Sequence, residues 1–435
     1  MSDPRVIVFG TTADYIAMIN QRYPGKCLFI TDPLERAGSK EPAPDNKSEL
    51  LCDLENFSEV TAVLDNYTRM TGITFSGIAA FDDESMLHAA RLAELYNLEY
   101  PSAGTVAVCR NKYRTKELWR KAGLICPETA LVESPAEAVK FIERVQRPVV
   151  IKPLTGSGSE LTFYCEDKFA CMRAFVITRE HLHSHPNARM YRHENRNEEG
   201  INPRDIYAIE TYIAGREYSC DFIINGEEVE IIRIAKKIPA ANQSFGTTLA
   251  YIVPSILPGS IDIAQFRDQL KLAAQAVGIK RSICMVDFIV NNDNLYFLEI
   301  APRPGGDCLP FLIKQSGNVD MLGLALAVAE SSPIELPATE SWKILVGLRL
   351  FAGNEGIIEK IDDSALRADS RVREIYYKHR EGHKVILPPD DYDSRLLGHV
   401  IFKPSSAEIE KECKELSDKL MIYMEASRWE TATGS

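Results

Sequence analysis

The sequence ICMVDFIVNNDNLYFLEIAPRPGG, residues 283–306, predicts a β-hairpin that leads into a loop rich in proline and glycine. Its two apolar runs, Ile283–Val290 and Leu295–Ile300, contain many branched and aromatic residues and flank a polar segment. Runs of this kind separated by a short polar segment are typical of paired antiparallel strands. We therefore expect a turn of four to five residues centred on Asp293.

Two acidic residues, Asp287 and Glu299, lie at equal distances from the centre of that turn. Paired strands would place their carboxylates opposite each other on one face of the hairpin. Two carboxylates in apolar surroundings repel each other unless a cation bridges them or one is protonated. Oxygen ligands of this kind suit Mg²⁺ or Mn²⁺ held jointly with nucleotide phosphates. The alternative is a pair of solvated acids at the open end of a hairpin.

The loop after the hairpin contains an arginine followed by two glycines. Arg303 lies on the same face as Glu299, two strand periods further along, and a guanidinium can bind a phosphoryl group or a carboxylate through two hydrogen bonds. Gly305 and Gly306 allow a ligand to approach the backbone closely. These three residues are therefore candidates for substrate binding.

A second candidate site is the sequence VVIKPLTGSGS, residues 149–159. Lys152 ends an apolar strand, and small residues follow it at once, so that backbone N–H groups and an ammonium group can surround a phosphate. No GK[ST] opens a helix here, which excludes a Walker loop. The alternative is an ordinary glycine-rich hairpin. The small residues of the predicted phosphate turn are Thr155, Gly156, Ser157, Gly158 and Ser159.

A third candidate is the sequence IETYIAGRE, residues 209–217. An extended segment would offer unpaired main-chain groups that can match the edge of an adenine ring. Glu217, just past the bend, would accept hydrogen bonds from ribose hydroxyls. The alternative is an edge strand with solvated acids.

The composition limits the class of protein. The chain has 435 residues, which suggests two to four domains, and a net charge of −12, which disfavours nucleic acid as the main partner. The apolar stretch Met321–Ala329 is too short to span a membrane. Ten cysteines without a CxxC pair indicate reduced thiols. We expect a cytoplasmic protein that has no membrane partner.

The organisation along the chain predicts an α/β fold. Alternating strands and helices over the first hundred residues indicate a small doubly wound domain without a GxGxxG fingerprint. A hairpin is predicted at Asn225-Gly226, and the last hundred residues combine short β-runs with a charged helix over Ser406–Tyr423. The predicted N-terminal elements are strands at Arg5–Gly10, Lys26–Thr31 and Gly77–Phe81 and helices at Asn56–Arg69 and Ser85–Tyr96.

The order of these motifs resembles the ATP-grasp superfamily, in particular carboxylate–amine ligases of the L-amino-acid ligase and biotin-carboxylase-like kind. The resemblance covers nearly the whole chain and implies an ATP-grasp fold with three parts. These are an N-terminal pre-ATP-grasp domain, residues 1–104, an ATP-grasp region, residues 105–332, with a small subdomain at about 115–213, and a β-rich C-terminal subdomain, residues 333–435.

The resemblance also implies ATP and Mg²⁺ (or Mn²⁺) as cofactors and assigns roles to individual residues. Lys152 and Arg303 would be catalytic, and the turn 155–159 would close over the triphosphate. By position, the implied roles are Lys112 and Lys152 on phosphates, Glu210 with the backbone of Tyr212 and Ile213 on adenine, Glu217 on ribose, Asp287 and Glu299 on the metal, and Arg303, Gly305 and Gly306 on the substrate.

The implied reaction joins a small-molecule carboxylate, such as an amino acid, to an amine through an acyl phosphate, with release of ADP and phosphate. Alternatives are an enzyme of the purine-biosynthesis or biotin-carboxylase type, or a nucleotide-binding regulator without turnover. A homodimer is expected because dimers are common among the enzymes that this chain resembles.

Three features depart from the family pattern or lie outside it. Ala301 stands where the family usually has a metal-binding Asn, and Met285 where related ligases often have a polar or basic residue. Lys236-Lys237 suits a solvated strand end or a substrate-facing pair. A mobile insertion, rather than a metal site, is predicted for the polar segment that contains His181, His183, His185 and His193.

Overall fold

The structure, a computed structural model, describes residues 3–191, 202–338 and 341–425. Within these ranges the chain forms four β-sheets, of four, four, eight and three strands. None of the helices in the described ranges has the length and apolar character needed to cross a membrane.

The N-terminal part alternates strands with helices around a parallel sheet of order β3-β2-β1-β4. Successive β1 residues face opposite layers: Val6 and Val8 pack in one apolar core, Ile7 and Phe9 in another. Helices therefore cover both faces, as predicted for a doubly wound sheet. The elements are β1 (Arg5–Phe9), α1 (Ala13–Arg22), β2 (Cys27–Thr31), α2 (Pro33–Gly38), β3 (Glu49–Leu51), α3 (Phe57–Thr71), β4 (Phe75–Ala79), α4 (Met86–Tyr96) and α5 (Ala103–Arg110).

Next comes a lobe built on a four-stranded antiparallel sheet of order β5-β8-β6-β7, which we call the small lobe. The strand that contains Glu210 lies inside this sheet, so the alternative of an edge strand is wrong. The elements are α6 (Lys112–Lys121), β5 (Thr129–Val132), α7 (Pro135–Val145), β6 (Val149–Pro153), β7 (Phe163–Cys165), α8 (Lys168–Ser184), α9 (Ala188–Tyr191) and β8 (Tyr207–Thr211).

The third part contributes five strands to an eight-stranded antiparallel sheet. The predicted hairpin at Asn225-Gly226 is confirmed, because Asn225 pairs with Glu228 across a two-residue turn. The turn at Asn292-Asp293 is also two residues long, shorter than predicted, and both residues adopt positive φ. The elements are β9 (Arg216–Asn225), β10 (Glu228–Pro239), β11 (Thr248–Val253), α10 (Ile263–Ala276), β12 (Arg281–Asn291), β13 (Asn294–Ala301), α11 (Leu309–Gly317) and α12 (Met321–Ala329).

The C-terminal part completes the large sheet and adds a three-stranded sheet of order β17-β15-β19. The large sheet has the order β13-β12-β9-β10-β11-β14-β18-β16, so it continues across residue 333. The prediction of one helix over Ser406–Tyr423 is wrong: a nine-residue helix is followed by a strand. The elements are β14 (Leu345–Phe351), β15 (Gly356–Asp362), α13 (Ser364–Arg367), β16 (Val372–Tyr377), β17 (Lys384–Val385), β18 (Leu396–Phe402), α14 (Ile409–Ser417) and β19 (Met421–Met424).

Candidate active site

Two adjoining cavities lie where the small lobe and the N-terminal part meet the large sheet. The larger cavity, of about 720 Å³, contains most of the residues predicted to bind nucleotide. The smaller cavity, of about 300 Å³, contains Arg303, Gly305 and Gly306. Both are lined by Lys112, Gly156, Ser157, Gly158, Ser159, Lys237, Gly246, Thr248, Asp287 and Glu299. The structure therefore brings the candidate residues from distant parts of the sequence into one region.

Lys112 is placed by the start of helix α6. The side chain of Asn111 caps this helix by accepting a hydrogen bond from the Arg114 N–H, 2.9 Å away. The Lys112 ammonium donates to the Gly156 carbonyl at 2.6 Å and lies 3.9 Å from a Glu299 carboxylate oxygen. Burial lowers the pKa of Lys112, and the Glu299 charge opposes this effect. Lys112 thus links the phosphate turn to the hairpin acid.

Lys152 belongs to a buried group of charges that the sequence did not fully reveal. The Glu210 carboxylate lies 3.0 Å from the Lys152 ammonium and 2.8 Å from that of Lys116. Lys116, which was not predicted, is fully buried and also donates to the Leu298 carbonyl at 2.6 Å. Its position four residues after Lys112, on the same helix face, was the available signal.

The charges of this group influence one another strongly. Burial opposes ionisation of Glu210, but the charges of Lys116 and Lys152 outweigh it and lower the pKa of Glu210. Burial lowers the pKa of Lys116 to about 8. Glu210 lines the larger cavity, but its carboxylate is engaged with two ammonium groups, and its contact with adenine stays a prediction.

Asp287 and Glu299 are directly opposed across β12 and β13, as predicted, although the register of the hairpin shifts between Asp287 and Phe288. Asp287 is buried, and one of its carboxylate oxygens accepts from the Lys237 ammonium at 2.9 Å. The other oxygen, Oδ1, is buried without a hydrogen-bond partner among the described residues. Burial raises the pKa of Asp287 to about 6, and the charge of Glu299 acts in the same direction. A cation beside Oδ1 would relieve both penalties.

These oxygen donors fit Mg²⁺, which is commonly held by one or two carboxylates together with water and substrate phosphates. In the described ranges, no group of three or more His, Cys, Asp or Glu side chains is arranged to hold a metal. Ala301 pairs with Met285 beyond the two acids and supplies no side-chain oxygen.

The interpretation of Lys237 as part of a solvated strand end is wrong. Its side chain is only 11% exposed and lies between Asp287 and Glu217. The charges of these two acids outweigh burial and raise the pKa of Lys237. Glu217 lines the larger cavity and accepts a hydrogen bond from Lys237, which uses part of its hydrogen-bonding capacity.

Arg303 is held in the smaller cavity by an acid from the N-terminal part of the chain. Its guanidinium donates two hydrogen bonds to the Asp83 carboxylate, at 3.1 and 2.5 Å, and one to the Pro304 carbonyl at 2.9 Å. Burial opposes ionisation of Asp83, but the Arg303 charge outweighs it and lowers the pKa of Asp83. The arginine is therefore fixed before any substrate binds.

The double glycine lies over a second buried ion pair. Arg233 and Asp221 are both fully buried and joined by a 2.7 Å contact, and the other Asp221 oxygen accepts the Gly305 N–H at 2.8 Å. A Cβ at Gly305 would come within 2.7 Å of the Arg233 guanidinium, so this position requires glycine. Neither Asp221 nor Arg233 was predicted. Another pair that was missed, Arg349 with Asp307, lines the same cavity.

The phosphate turn bridges the small lobe and the large sheet. Gly156 and Gly158 have positive φ values of 127° and 64°, which explains the requirement for glycine. Ser159 donates to the Gly246 carbonyl, 3.0 Å away, in the loop between β10 and β11. The turn thus covers the region where the two cavities meet.

Three aromatic rings line the part of the larger cavity proposed for the base. Tyr212 contacts Tyr164 and Phe245 with ring centroids 4.8 and 6.1 Å apart. The Tyr212 N–H donates to the Pro148 carbonyl at 2.9 Å, so this main-chain donor is engaged. Ile213 lines the same cavity. Tyr164 and Phe245 were missed because they come from separate loops and strands.

The histidine-rich segment is more regular than predicted. His181 and His183 lie in the last turns of α8, so this part of the segment is helical, and the mobile insertion stays a prediction. Each described histidine of the segment approaches a different acid: His181 Asp390, His183 Asp205 and His185 Glu160. This arrangement does not converge on a metal site. His193 lies outside the described residues.

Sequence and structure comparisons identify the fold. Residues 145–310 match the ATP-grasp domain family. The chain has an ATP-grasp fold. Its fold resembles that of an L-amino acid ligase from Bacillus licheniformis, which is 19% identical, with a TM-score of 0.74 and coverage of 98% of this chain and 100% of that chain. A biotin carboxylase from Campylobacter jejuni is 16% identical, with a TM-score of 0.65 and coverage of 97% and 92%.

A curated relative, the uncharacterised protein y4rH from Sinorhizobium fredii, is 21% identical over 311 residues. The match covers 70% of this chain and 59% of the relative, so the chain spans well under two thirds of that protein. Together these findings confirm the predicted α/β fold class and the ATP-grasp resemblance.

Proposed function

We propose that this ATP-grasp protein is an ATP-dependent carboxylate–amine ligase that works through an acyl phosphate. The observation that carries the proposal is the opposed pair Asp287 and Glu299, with the unpaired Asp287 Oδ1 at the junction of the two cavities. Lys112 and Lys237 line both cavities, Lys152 lines the larger one, and Arg303 and Arg349 line the smaller one. A triphosphate in the larger cavity would therefore direct its γ-phosphate towards a substrate in the smaller one.

The residues of the larger cavity would bind the nucleotide. Lys112, Lys152 and the turn 155–159 would contact the phosphates through ammonium and backbone N–H groups. The base would lie near Tyr212 and Ile213, with the ribose near Glu217. Asp287 and Glu299 would hold Mg²⁺, which when bound neutralises charge on the phosphate oxygens.

The chemistry would proceed in two displacements. A carboxylate oxygen of the first substrate attacks the γ-phosphorus of ATP, the bond to the β,γ-bridging oxygen breaks, and ADP leaves. The amine of the second substrate then attacks the acyl carbon, inorganic phosphate leaves, and the amine nitrogen loses a proton. The products are an amide, ADP and phosphate. Because both steps depend on positioning and charge, no nucleophilic side chain is needed.

The charged residues would act at defined points in this sequence. Lys112 and Lys152 offset negative charge on the phosphates, and Arg303 contacts the phosphoryl group or the substrate carboxylate. The Arg303–Asp83 salt bridge fixes the orientation of the guanidinium, so little rearrangement is required. Catalysis in this scheme rests on preorganised charge.

The smaller cavity supports small, polar substrates. Its volume of about 300 Å³ suits a molecule the size of an amino acid or a short peptide fragment. Its walls carry acidic side chains, such as Asp82 and Glu84, and also the guanidinium groups of Arg303 and Arg349. A zwitterion would find a partner for each of its charges there.

The proposal is tested by measuring ADP and phosphate release with Mg²⁺ and pairs of amino acids. We expect release that depends on a specific pair, with an amide product visible by mass spectrometry. Asp287→Asn should reduce turnover by at least a hundredfold. Asp293→Asn, in the exposed turn of the same hairpin, should change it less than twofold.

Two outcomes would argue against this function. Absence of ADP from every pair, despite nucleotide binding, would refute ligase activity on those substrates and favour a regulator. Formation of a carboxylated product from bicarbonate would instead indicate a biotin-carboxylase-like or purine-biosynthesis-like reaction.

A further inference from the structure

The segment 185–191, at the end of the histidine-rich region, lies directly behind the phosphate turn. The Tyr191 hydroxyl donates to a Glu160 carboxylate oxygen at 2.6 Å, and His185 Nε2 lies 2.9 Å from the other oxygen. The rings of His185 and Tyr191 are themselves in contact, with centroids 4.7 Å apart. Glu160 immediately follows the turn, so the two rings hold the residue at which the turn ends.

The hydrogen bonds determine which ring nitrogen of His185 carries the proton. The Asn187 N–H donates to His185 Nδ1 at 3.1 Å, so in the neutral ring the proton lies on Nε2. Nε2 can then donate to Glu160, as the 2.9 Å distance requires. A neutral histidine and a tyrosine thus both donate to one carboxylate.

The same segment also contacts the interior of the turn. A Cβ at Gly156 would lie 3.1 Å from the Tyr191 hydroxyl oxygen, so the tyrosine closely backs the glycine. Thr155 donates from its hydroxyl to the Met190 carbonyl at 3.0 Å. One short stretch of chain therefore contacts the turn at Thr155 and Gly156 and holds Glu160, the residue just after it.

This stretch is in turn anchored to the N-terminal part of the protein. Arg110 of α5 donates to the Met190 carbonyl at 2.9 Å. Arg189 donates to the Ser85 hydroxyl at 3.2 Å, next to the acidic residues of the smaller cavity. The support behind the phosphate turn is thus attached outside the small lobe.

We propose that Tyr191, Glu160 and His185 are positioning residues that hold the phosphate turn in the conformation able to bind the nucleotide phosphates. The proposal rests on the proposed function only in naming ATP as the ligand. Tyr191 is fully buried, while Glu160 lies at the cavity wall. Loss of the tyrosine hydroxyl should therefore loosen the turn without removing a group that itself touches the phosphates.

The test compares Tyr191→Phe with Tyr207→Phe in the full-length protein. Tyr207 is an equally buried tyrosine of the small lobe, and its hydroxyl donates to the Arg204 carbonyl instead of to Glu160. Hydrogen exchange is measured without ligand, and MgADP affinity by titration. We expect faster exchange in residues 155–160 and an affinity threefold to tenfold weaker for Tyr191→Phe alone, about the effect of one hydrogen bond.

Kinetics of an active preparation add a second criterion. Tyr191→Phe should raise the KM for ATP by a similar factor and change kcat less than twofold. His185→Gln, which keeps a donor for Glu160, should remain closer to wild type than His185→Leu. This rescue would not be expected if the ring only filled space.

Two results would overturn the inference. The first is wild-type exchange and MgADP affinity in Tyr191→Phe. The second is equal loosening of the whole small lobe in Tyr191→Phe and Tyr207→Phe, which would indicate a general packing role. The two proposals can fail separately. A wild-type protein without turnover would count against the ligase proposal, but the comparison of hydrogen exchange between the variants would still test this inference.

Discussion

The carboxylate of Glu210 lies between two buried ammonium groups, and this arrangement has consequences for both stability and binding. Lys116 and Lys152 carry two positive charges against one negative charge. The surplus positive charge lies at the floor of the larger cavity, where it favours an anionic ligand. The same group would become strongly unfavourable if its single acid were lost.

Replacing Glu210 with Gln should therefore destabilise the protein. The change leaves two buried cations without their partner, for which a loss of about 3–5 kcal/mol is typical. The free energy of unfolding can be followed in urea by tryptophan fluorescence, to which Trp119 on the same helix as Lys116 contributes. Glu128→Gln is the matched control, because Glu128 forms an exposed pair with Arg144 whose loss should cost less than about 1 kcal/mol. Similar losses in the two variants would contradict the buried-charge argument.

At this scale the sequence predicts local relationships well and distant ones poorly. The opposition of Asp287 and Glu299 was predicted from their symmetry about Asp293, but the observed turn is shorter, and an irregularity between Asp287 and Phe288 restores the pairing. The Arg303–Asp83 salt bridge joins residues 220 positions apart, and no local pattern indicates it. The burial of Lys237 was missed for the same reason, because Lys237 of β10 lies between Glu217 of β9 and Asp287 of β12.

At the scale of elements, an acidic side chain of helix α14 binds the segments that flank two strands of the large sheet, while Cys413 and Leu416 pack in the apolar core. Glu412 accepts hydrogen bonds from the backbone N–H groups and the hydroxyls of Ser405 and Ser406, and it contacts Arg371 at 3.3 Å. Burial opposes its ionisation, but the hydrogen bonds from Ser405 and Ser406 outweigh it and lower the pKa of Glu412 to about 2. The ionised carboxylate is thus part of the fold.

The stability of this attachment should depend on pH. Because the pKa of Glu412 is lower in the folded state than its usual 4.5, its contribution is fully present above pH 4.5. The contribution decreases as the pH falls towards 2, by at most about 3 kcal/mol. Glu412→Gln should therefore flatten the dependence of the unfolding free energy on pH between 4.5 and 2. Glu410→Gln, at an exposed position of the same helix, should leave that dependence unchanged.

The element boundaries show where sequence patterns compete. The charged pattern from residue 406 onwards favours a helix, yet β19 forms because Ile422 and its neighbours pair with β15. That pairing is long-range, so helical periodicity dominated the prediction. The short strand β3 was missed because it is only three residues long and adds to the edge of an existing parallel sheet.

At the scale of the whole molecule, the large sheet unites parts of the chain that sequence composition separates. The resemblance implies that a β-rich C-terminal subdomain begins at residue 333. Instead, β14 pairs with β11 along four residue pairs, from Ala250↔Leu348 to Val253↔Leu345. Helix α12 returns to pack against β4 of the N-terminal sheet, through the apolar cluster that includes Leu322 and Leu326. The connections between the parts of the chain are therefore extensive.

This continuity predicts that residues 1–338 will not form a native protein by themselves. This fragment would lack β14, β18 and β16, so the hydrogen-bonding edge of β11 would be exposed. Ile252 would lose the apolar neighbours that share its core, such as Leu348. An exposed strand edge beside uncovered apolar surface promotes aggregation. We expect the fragment to be insoluble, or to lack the near-ultraviolet circular dichroism of a packed core.

A longer fragment, residues 1–403, is the matched control for this prediction. It keeps all eight strands of the large sheet and loses only α14 and β19 from the described residues, so it should be soluble and unfold cooperatively at a lower temperature than the whole chain. A soluble, monomeric 1–338 fragment with native circular dichroism and unchanged MgADP affinity would contradict the argument. That result would mean that the C-terminal strands only extend a sheet which is already complete, and that residue 333 is a true domain boundary.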